Sequence, residues 1–525
     1  MSIFSRGSKG LRSLVNSGSA AADSRGQSRI VSIFRIDFQH VQIYDQKAAF
    51  MTLPLPSSCN PTPSDLAFAV VAALRQELGD TDVLTGDQIG VKYLNDWSDE
   101  SGGTPLALVR PRDTQQVAQV LRICHAHGQA VTPQGGLTGL AGGAVPSHGS
   151  VILSLERMSG ITAIDTGSAT MTVLAGTPLQ AIQEAAQQAG FLYALDLGSR
   201  GSCQIGGNLA TNAGGNRVIR YGMARELVLG LEVVLADGTV LSMLNQMVKN
   251  NAGPDLKHLF IGSEGTLGVI TQAVLRLHPG VSGANTALVA LTGFDAVVQL
   301  LRHAQQALSG QVSAFEVMWP DYYRAATSVP GVRTPLLAHH PVYVLLDMQG
   351  ATPEIEAGRF QAMLEEAMAQ GWVVDAAIAQ SHAETQDFWA LRDSVSEMLK
   401  LNAPTINFDL SVPISTIGNC VEKLMEVMAT RFPHLKVVFF GHVGDGNIHA
   451  VVGPIPADGV TEHQVEDAFY AIVRDFCGSV SAEHGIGLHK KKWLGHSRSP
   501  QEIALMKILK NAMDPGNILN PGKIL

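Results

Sequence analysis

The stretch FFGHVGDGNIHAVV, residues 439–452, sets His442 and His449 seven positions apart around a glycine-rich centre. Asp445-Gly446 is a favoured two-residue hairpin turn, because it tolerates positive φ. With strands at 437–440 and 448–452, that turn places His442 opposite His449. Directly opposed side chains share one face of a sheet, with Cβ atoms about 4.5–5.5 Å apart. Two imidazoles at that spacing can hold one metal ion, although an isolated His pair is more often a polar spot on a solvated hairpin. Downstream, SAEHGIG (481–487) supplies Glu483 and His484 side by side. Two histidines and a carboxylate leave coordination positions open, as a catalytic metal requires. Taken alone, Glu483-His484 reads equally well as a helix N-terminal acid beside a surface histidine. In FWALRDSVSEML (388–399), Arg392 and Ser396 stand one helical turn apart on one face. Arginine binds carboxylates bidentately and a hydroxyl adds one donor; the alternative is an exposed arginine on an amphipathic helix.

Three glycine clusters precede these residues: PQGGLTGLAGGAVP (133–146), GSRGSCQIGGNLATNAGG (198–215) and IGSEGTLGVIT (261–271). Glycine permits close backbone approach and φ > 0, so successive N–H groups can converge on phosphate oxygens. Thr138, Ser202, Asn208, Thr211 and Ser263 add short donors. One such loop is usually a tight turn, whereas three in one domain point to a large anionic cofactor. The spacing G-x-x-G-x-x-G from Gly136 is not a dinucleotide fingerprint, and no G-K-[ST] occurs for a P-loop.

These groups need elements to position them. Asp113 to His127 has helical spacing, with Asp113 as cap and Gly128 as stop. Strands follow at 130–133 and 151–155, then a strand at 171–174 and a helix at 178–188 capped by Thr177. LVLGLEVVLADGTVLS (227–242) reads as two strands joined at Asp237-Gly238. After Pro279, strands near 286–294, 312–318, 342–347, 373–379 and 406–412 alternate with helices at 295–308, 353–369 and 415–429. That alternation predicts an α+β domain, an antiparallel sheet with helices on one face. The expected organisation is a cofactor-binding domain over 51–280, a second domain with the metal site over 281–489, and a turn-rich segment, 490–525, packing back on the first. The run Lys490-Lys491-Lys492 reads as a solvated helix face.

Bulk properties bound the function. A chain of 525 residues exceeds one core. The net charge of −9 opposes nucleic-acid binding and a basic membrane patch. No apolar run approaches the roughly 18–20 residues of a membrane span. Five scattered cysteines (Cys59, Cys124, Cys203, Cys420, Cys477) without C-x-x-C fit a reducing compartment and no iron–sulfur site. Residues 1–50 are Ser- and Arg-rich, and 7 Lys/Arg against 3 Asp/Glu give +4. They read as an extension, disordered or upstream of a true start at Met51, with a transit peptide as the alternative. The expected location is cytoplasmic, with a peripheral position at an inner membrane as the alternative, or mitochondrial if the extension is a transit peptide.

The order and wording of the motifs resemble a known family. The three glycine clusters are similar to the flavin domain of the p-cresol methylhydroxylase / vanillyl-alcohol oxidase superfamily. GSCQIGGNLATNAGG, LEVVLADGTVL, LFIGSEGTLGVIT, GHVGDGNIH and SAEHGIG are similar to the FAD-linked D-2-hydroxyacid dehydrogenases, from about residue 85 to Leu525. The resemblance implies a two-subdomain FAD-binding domain plus a ferredoxin-like cap. It implies FAD with its pyrophosphate on 134–139 and its ring between the domains. The implied contacts are Pro133, Gln134, Gly135, Gly136, Leu137, Thr138 and Gly139, then Gly201, Ser202, Gly206, Gly207, Asn208, Thr211, Asn212 and Gly214, then Gly265, Gly268, Ile270 and, from the NPGK ending, Asn520. Many superfamily members tether FAD through a histidine near the first loop; PQGGLTGLAGG has none, so non-covalent FAD is expected. The resemblance assigns His442, His449 and Glu483 to a divalent metal, zinc or manganese, His484 as general base, and Arg392 with Ser396 to the substrate carboxylate. It implies oxidation of a D-2-hydroxy acid to the 2-oxo acid, with electrons passing to an electron-transfer flavoprotein, quinone or cytochrome, and a homodimer is common. In the hydroxyglutarate branch a Lys two before the Asp of FDLSVP and an Asn two after the second metal His are expected; Asn407 and Val451 stand there instead. D-Lactate-type and D-2-hydroxyglutarate-type substrates both stay open. Alternatives are a glycolate oxidase subunit and a non-redox alkylglycerone-phosphate-synthase-like transferase.

Overall fold

Helix and strand signals in the N-terminal half resolve into two small sheets. The computed structural model describes residues 63–525, except 99, 396, 398–402 and 457–458. The expected extension over 1–50 and Ser396 lie outside the described residues. The first sheet holds β1 (Val83–Leu84), β2 (Ala107–Val109), β3 (Val131–Gln134) and β4 (Val151–Ser154), in the order β1-β2-β4-β3. Helix Thr114–Ala126 packs beside it: the Asp113 side chain accepts the Gln116 N–H, and Val117, Val120, Leu121 and Cys124 are buried. This is the capped amphipathic pattern that the sequence carries.

The second sheet holds β5 (Ile161–Asp165), β6 (Thr170–Leu174), β8 (Val228–Val234), β9 (Val240–Met243) and β10 (Val269–Arg276), in the order β5-β6-β10-β8-β9. Two short strands, β7 (Phe191–Leu192) and β11 (His278–Pro279), pair with each other as a separate antiparallel ribbon. Thr177 is not a cap: its Oγ1 donates to Leu174 O and Gly160 O, and Pro178 occupies the N-cap of helix Leu179–Gln188. Apolar residues of both sheets form one core, from Val70 to Leu519.

The C-terminal half builds a seven-stranded antiparallel sheet: β12 (Gly283–Leu291), β13 (Val312–Met318), β14 (Val342–Gly350), β15 (Val373–Ile378), β16 (Ile406–Ser411), β17 (Lys436–Gly441) and β18 (Asn447–Gly453). Its order is β15-β12-β14-β13-β17-β18-β16. The first four strands, with helices Phe294–Ala307 and Pro353–Ala369, follow the split βαβ order of a ferredoxin-like unit. Helices cover both faces, not one. Val317, Phe408, Phe439 and Ala450 pack against the two helices just named and against Ile417–Arg431 and Glu462–Asp475. The alternate residues Met318, Phe440 and Val451 pack under Pro320–Thr327 and His382–Asp393. The strands are apolar on both sides, and that is the signature of a sheet covered on both.

The last residues return to the first sheet. Val131 N–H donates to Ile518 O at 2.7 Å and Asn520 N–H to Val131 O at 2.9 Å, extending the exposed edge of β3. The buried Lys523 ammonium caps Gly143 O and Val145 O. All these elements belong to one compact unit, Pro61–Leu525.

Candidate active site

A row of polar side chains crosses the C-terminal sheet on the face under helix His382–Asp393. Strand alternation puts Glu316 (β13), Phe440 (β17), His449 (β18) and Asp409 (β16) on that face, and neighbouring strands bring them side by side. Asp409 pairs with His449, and His449 with Phe440. The hairpin differs from the two-residue turn expected. His442 O accepts the N–H groups of both Asp445 and Asn447, a short 3-10 turn spans Val443–Asp445, and Gly446 takes φ 92°. His449 therefore faces Phe440 rather than His442. The slip is two residues, so parity survives and both histidines still reach one face. Their ring centroids are 5.4 Å apart.

Glu316, only 1% exposed, accepts hydrogen bonds from His442 Nδ1 at 2.6 Å and Arg392 Nε at 2.7 Å. Burial alone would raise the Glu316 carboxyl, but the His442 and Arg392 charges outweigh it and hold it at about 2. Burial works to lower His442, and the Glu316 carboxylate lifts it to about 9. Arg392 lies over the Phe440 ring, 5.0 Å from its centroid, with Nη2 3.4 Å from His442 Nε2. Neither Glu316 nor its role stands out in the sequence, because SAFEVMW is an ordinary strand with one acid in it.

Glu483 and His484 sit on a loop rather than a helix N-terminus, and two buried carboxylates pin that loop. Asp409 Oδ2 accepts the N–H groups of Ala482, Glu483 and His484 at 3.2, 3.0 and 2.9 Å. From the other lobe, Glu264 accepts those of Ile486 and Gly487 at 2.7 and 2.9 Å. Lys490 is not solvated: it is 2% exposed, with Nζ 3.4 Å from Asp409 Oδ2 and 3.2 Å from Ser481 Oγ. Burial opposes the Asp409 charge, yet His484, Lys490 and His449 hold its carboxyl well below the usual range. Burial depresses His484 below the ordinary imidazole value, and depresses His449 further, with the adjacent His442 charge adding to the effect. Glu483 Oε1 accepts the Gly215 N–H at 2.6 Å.

One nitrogen each from His442 and His449 and one Glu483 oxygen lie within 4.8 Å of one another. His442 meets the usual demand on a ligating imidazole, since its Nδ1 is held by a carboxylate and its Nε2 remains for a metal. The donor set fits a divalent cation.

Some of these groups, though not His449, line one end of a cavity of about 710 Å³ whose other walls are the glycine loops. Pro133, Gln134, Gly135, Gly136, Leu137, Thr138 and Gly139 line it, as do Gly206, Gly207, Asn208, Thr211, Gly214, Gly265, Gly268, Ile270 and Asn520. Arg392, His442, Glu483 and His484 line it from the other lobe. Three expected contacts lie off the wall. Gly201 and Ser202 are exposed on the preceding turn, where the Ser202 N–H bonds Ser199 O. Asn212, at φ 52°, ends helix Ile205–Ala210 and accepts the Arg225 N–H through Oδ1. The cavity offers what a pyrophosphate-bearing cofactor needs. Among the described residues, the N–H groups of Gly135–Gly139 find no acceptor. Gln134 Oε1 and Asn208 Oδ1 are buried there without partners. Gly207 presents bare backbone, with nothing within 4 Å of an added Cβ.

Fold and cavity define a two-domain flavin-binding protein. Solved structures of p-cresol methylhydroxylase (TM-score 0.70, 19% identity, 88% of this chain and 97% of that one) and alkyldihydroxyacetonephosphate synthase (0.67, 16%, 87% and 84%) share the fold. The FAD binding domain family matches residues 105–243, and the family of FAD linked oxidases, C-terminal domain, matches 282–524. The D-2-hydroxyglutarate dehydrogenase of Xanthomonas citri pv. viticola is 41% identical over 437 residues, covering 82% of this chain and 92% of that protein. The mitochondrial D-2-hydroxyglutarate dehydrogenase of Bos taurus is 41% identical over 430 residues, covering 82% and 78%. The chain belongs to the FAD-linked oxidase family, among the D-2-hydroxyacid dehydrogenase-like members, and is an FAD-dependent oxidoreductase.

Proposed function

We propose that this enzyme oxidises a D-2-hydroxy acid at C2 to the 2-oxo acid, with FAD bound non-covalently along the glycine loops and a zinc or manganese ion on His442, His449 and Glu483. When bound, the flavin supplies the hydride acceptor and the metal polarises the hydroxyl and carboxylate oxygens of the substrate. The protein's own groups do the rest. The Arg392 fork binds the carboxylate, and Ser396 is the further donor proposed from the sequence. His484, kept neutral by burial, takes the hydroxyl proton. Asp409 fixes the backbone that carries His484 and Glu483. Electrons then leave to an acceptor other than a nicotinamide: an electron-transfer flavoprotein, a quinone or a cytochrome.

The observation that carries this reading is the convergence of Arg392, His442, Glu483 and His484 on the cavity that the glycine loops line. The names of the relatives favour D-2-hydroxyglutarate as substrate. A second reading, a short acid of the D-lactate type, is favoured by Asn407 and Val451. They pair across β16 and β18 two residues beyond Asp409–His449, on the same face, where Val451 sits in an apolar cluster. Turnover of D-2-hydroxyglutarate, D-lactate and glycolate with an artificial electron acceptor, alongside the L-enantiomers, tests the proposal. Formation of a 2-oxo acid from one D-acid but not its enantiomer is expected. Equal rates with both enantiomers, or none with any, contradict it.

A further inference from the structure

We propose that Glu316 is a positioning residue that aims two binding groups at once, the metal-facing nitrogen of His442 and the carboxylate-facing fork of Arg392. The inference rests on the function proposed above and adds a residue to it. Val317 pairs with Gly441 and Met318 with Phe440 in the β13–β17 ladder. Carrying that register one step further sets Glu316 opposite His442. The two oxygens of this one carboxylate are divided: Oε1 takes His442 Nδ1 at 2.6 Å and Oε2 takes Arg392 Nε at 2.7 Å.

Each half of that division has a consequence. A carboxylate on Nδ1 fixes the tautomer and the ring plane of His442, so the Nε2 lone pair faces the cavity. A carboxylate on Nε leaves the two terminal nitrogens of Arg392 on the cavity side, with Nη2 3.4 Å from His442 Nε2 and Nη1 4.0 Å from Asp393 Oδ1, and the Phe440 ring beneath holds the guanidinium plane. The 3.4 Å contact between Arg392 Nη2 and His442 Nε2 sets the two binding atoms side by side. A substrate whose carboxylate and hydroxyl are one carbon apart needs that juxtaposition. Stability is a poor rationale for the triad, since buried Arg–Glu arrangements can often be replaced by apolar residues without loss. Aspartate at this position is one methylene shorter, roughly 1.5 Å, and cannot reach both partners from the same backbone.

The test uses full-length protein carrying FAD, stripped of metal by chelation. Zinc and manganese affinity is measured by competition with a chromophoric chelator. Binding of pyruvate and 2-oxoglutarate to the metal-free protein is measured by calorimetry, so neither readout depends on turnover. Glu316→Gln is expected to weaken metal binding by about 10–100-fold and 2-oxo acid binding by about tenfold or more, at unchanged FAD content. Arg392→Lys weakens mainly the acid, and His442→Ala mainly the metal. If Glu316→Gln does not fold, Glu316→Asp keeps the charge and is expected to lose at least one of the two affinities. Retention of both affinities in the variant that folds, or a Glu316→Gln loss confined to one, overturns the inference. Wild-type protein that takes up no divalent metal overturns instead the metal reading on which it rests.

Discussion

The Asp409 carboxylate accepts the backbone N–H of His484 at 2.9 Å and lies 3.6 Å from that histidine's Nδ1. It also faces His449 across the β16–β18 ladder and the buried Lys490 ammonium. One fully buried acid thus ties the strand of a proposed metal ligand, the loop of the proposed base, and a cation together. Removing one member of a buried charge pair strands the other, at a cost of about 3–5 kcal/mol. Asp409→Ala is expected to lose stability on that scale in urea unfolding, and Lys490→Met in the same chain to recover part of it.

Gly214 serves Glu483. A Cβ at this position would lie 2.4 Å from Glu483 Oε1, an impossible contact. Gly214→Ala must push that carboxylate aside. The expected outcome is a fall in metal affinity of about 10–100-fold, the usual effect of disturbing a ligand's support, larger than any loss of FAD. Elemental analysis and the flavin absorbance of the purified variant check it together.

His484→Ala removes the proposed proton acceptor and none of the proposed metal ligands. Turnover is expected to drop by about 10²–10⁴-fold, while FAD and metal contents match the wild type. Stopped-flow reduction of the flavin, in which product release plays no part, is the appropriate readout.

How much of this was legible in the sequence follows from which interactions are local. The glycine loops, the capped helix at Asp113 and the His442/His449 pair could be read because each is set by residues near one another. The hairpin register differs by two from the one the dipeptide predicts, because Asp445-Gly446 forms part of a 3-10 turn closed on His442 O. Glu316, Glu264 and Asp409 carry no local signal as site organisers, since their partners lie 126, 222 and 75 positions away. Lys490 looked solvated for the same reason: its counter-charge is Asp409, 81 positions off. Helices on both sheet faces were foreshadowed by strands without polar alternation, such as VYVLL at 342–346.

Stability should carry a pH signature away from the active site. His489 bridges Glu466, through Nε2 at 3.0 Å, and Glu100, through Nδ1 at 3.3 Å. The bond to Glu466 raises its pKa above the ordinary 6.5, against the opposing effect of burial. A raised folded-state pKa stabilises the fold fully below the unfolded value and loses that contribution as pH climbs through the folded one. The gap in melting temperature between wild type and His489→Gln is therefore expected to be largest below pH 6.5 and to shrink above it.

The most direct test of the central claim is anaerobic reduction of the bound flavin before and after removal of metal. D-2-Hydroxyglutarate, D-lactate and their L-enantiomers are added in turn to native, chelated and zinc- or manganese-restored protein. One D-acid is expected to bleach the flavin, chelation to abolish the bleaching while FAD stays bound, and added metal to restore it. Bleaching that proceeds unchanged in chelated, metal-free protein would contradict the role given to His442, His449 and Glu483.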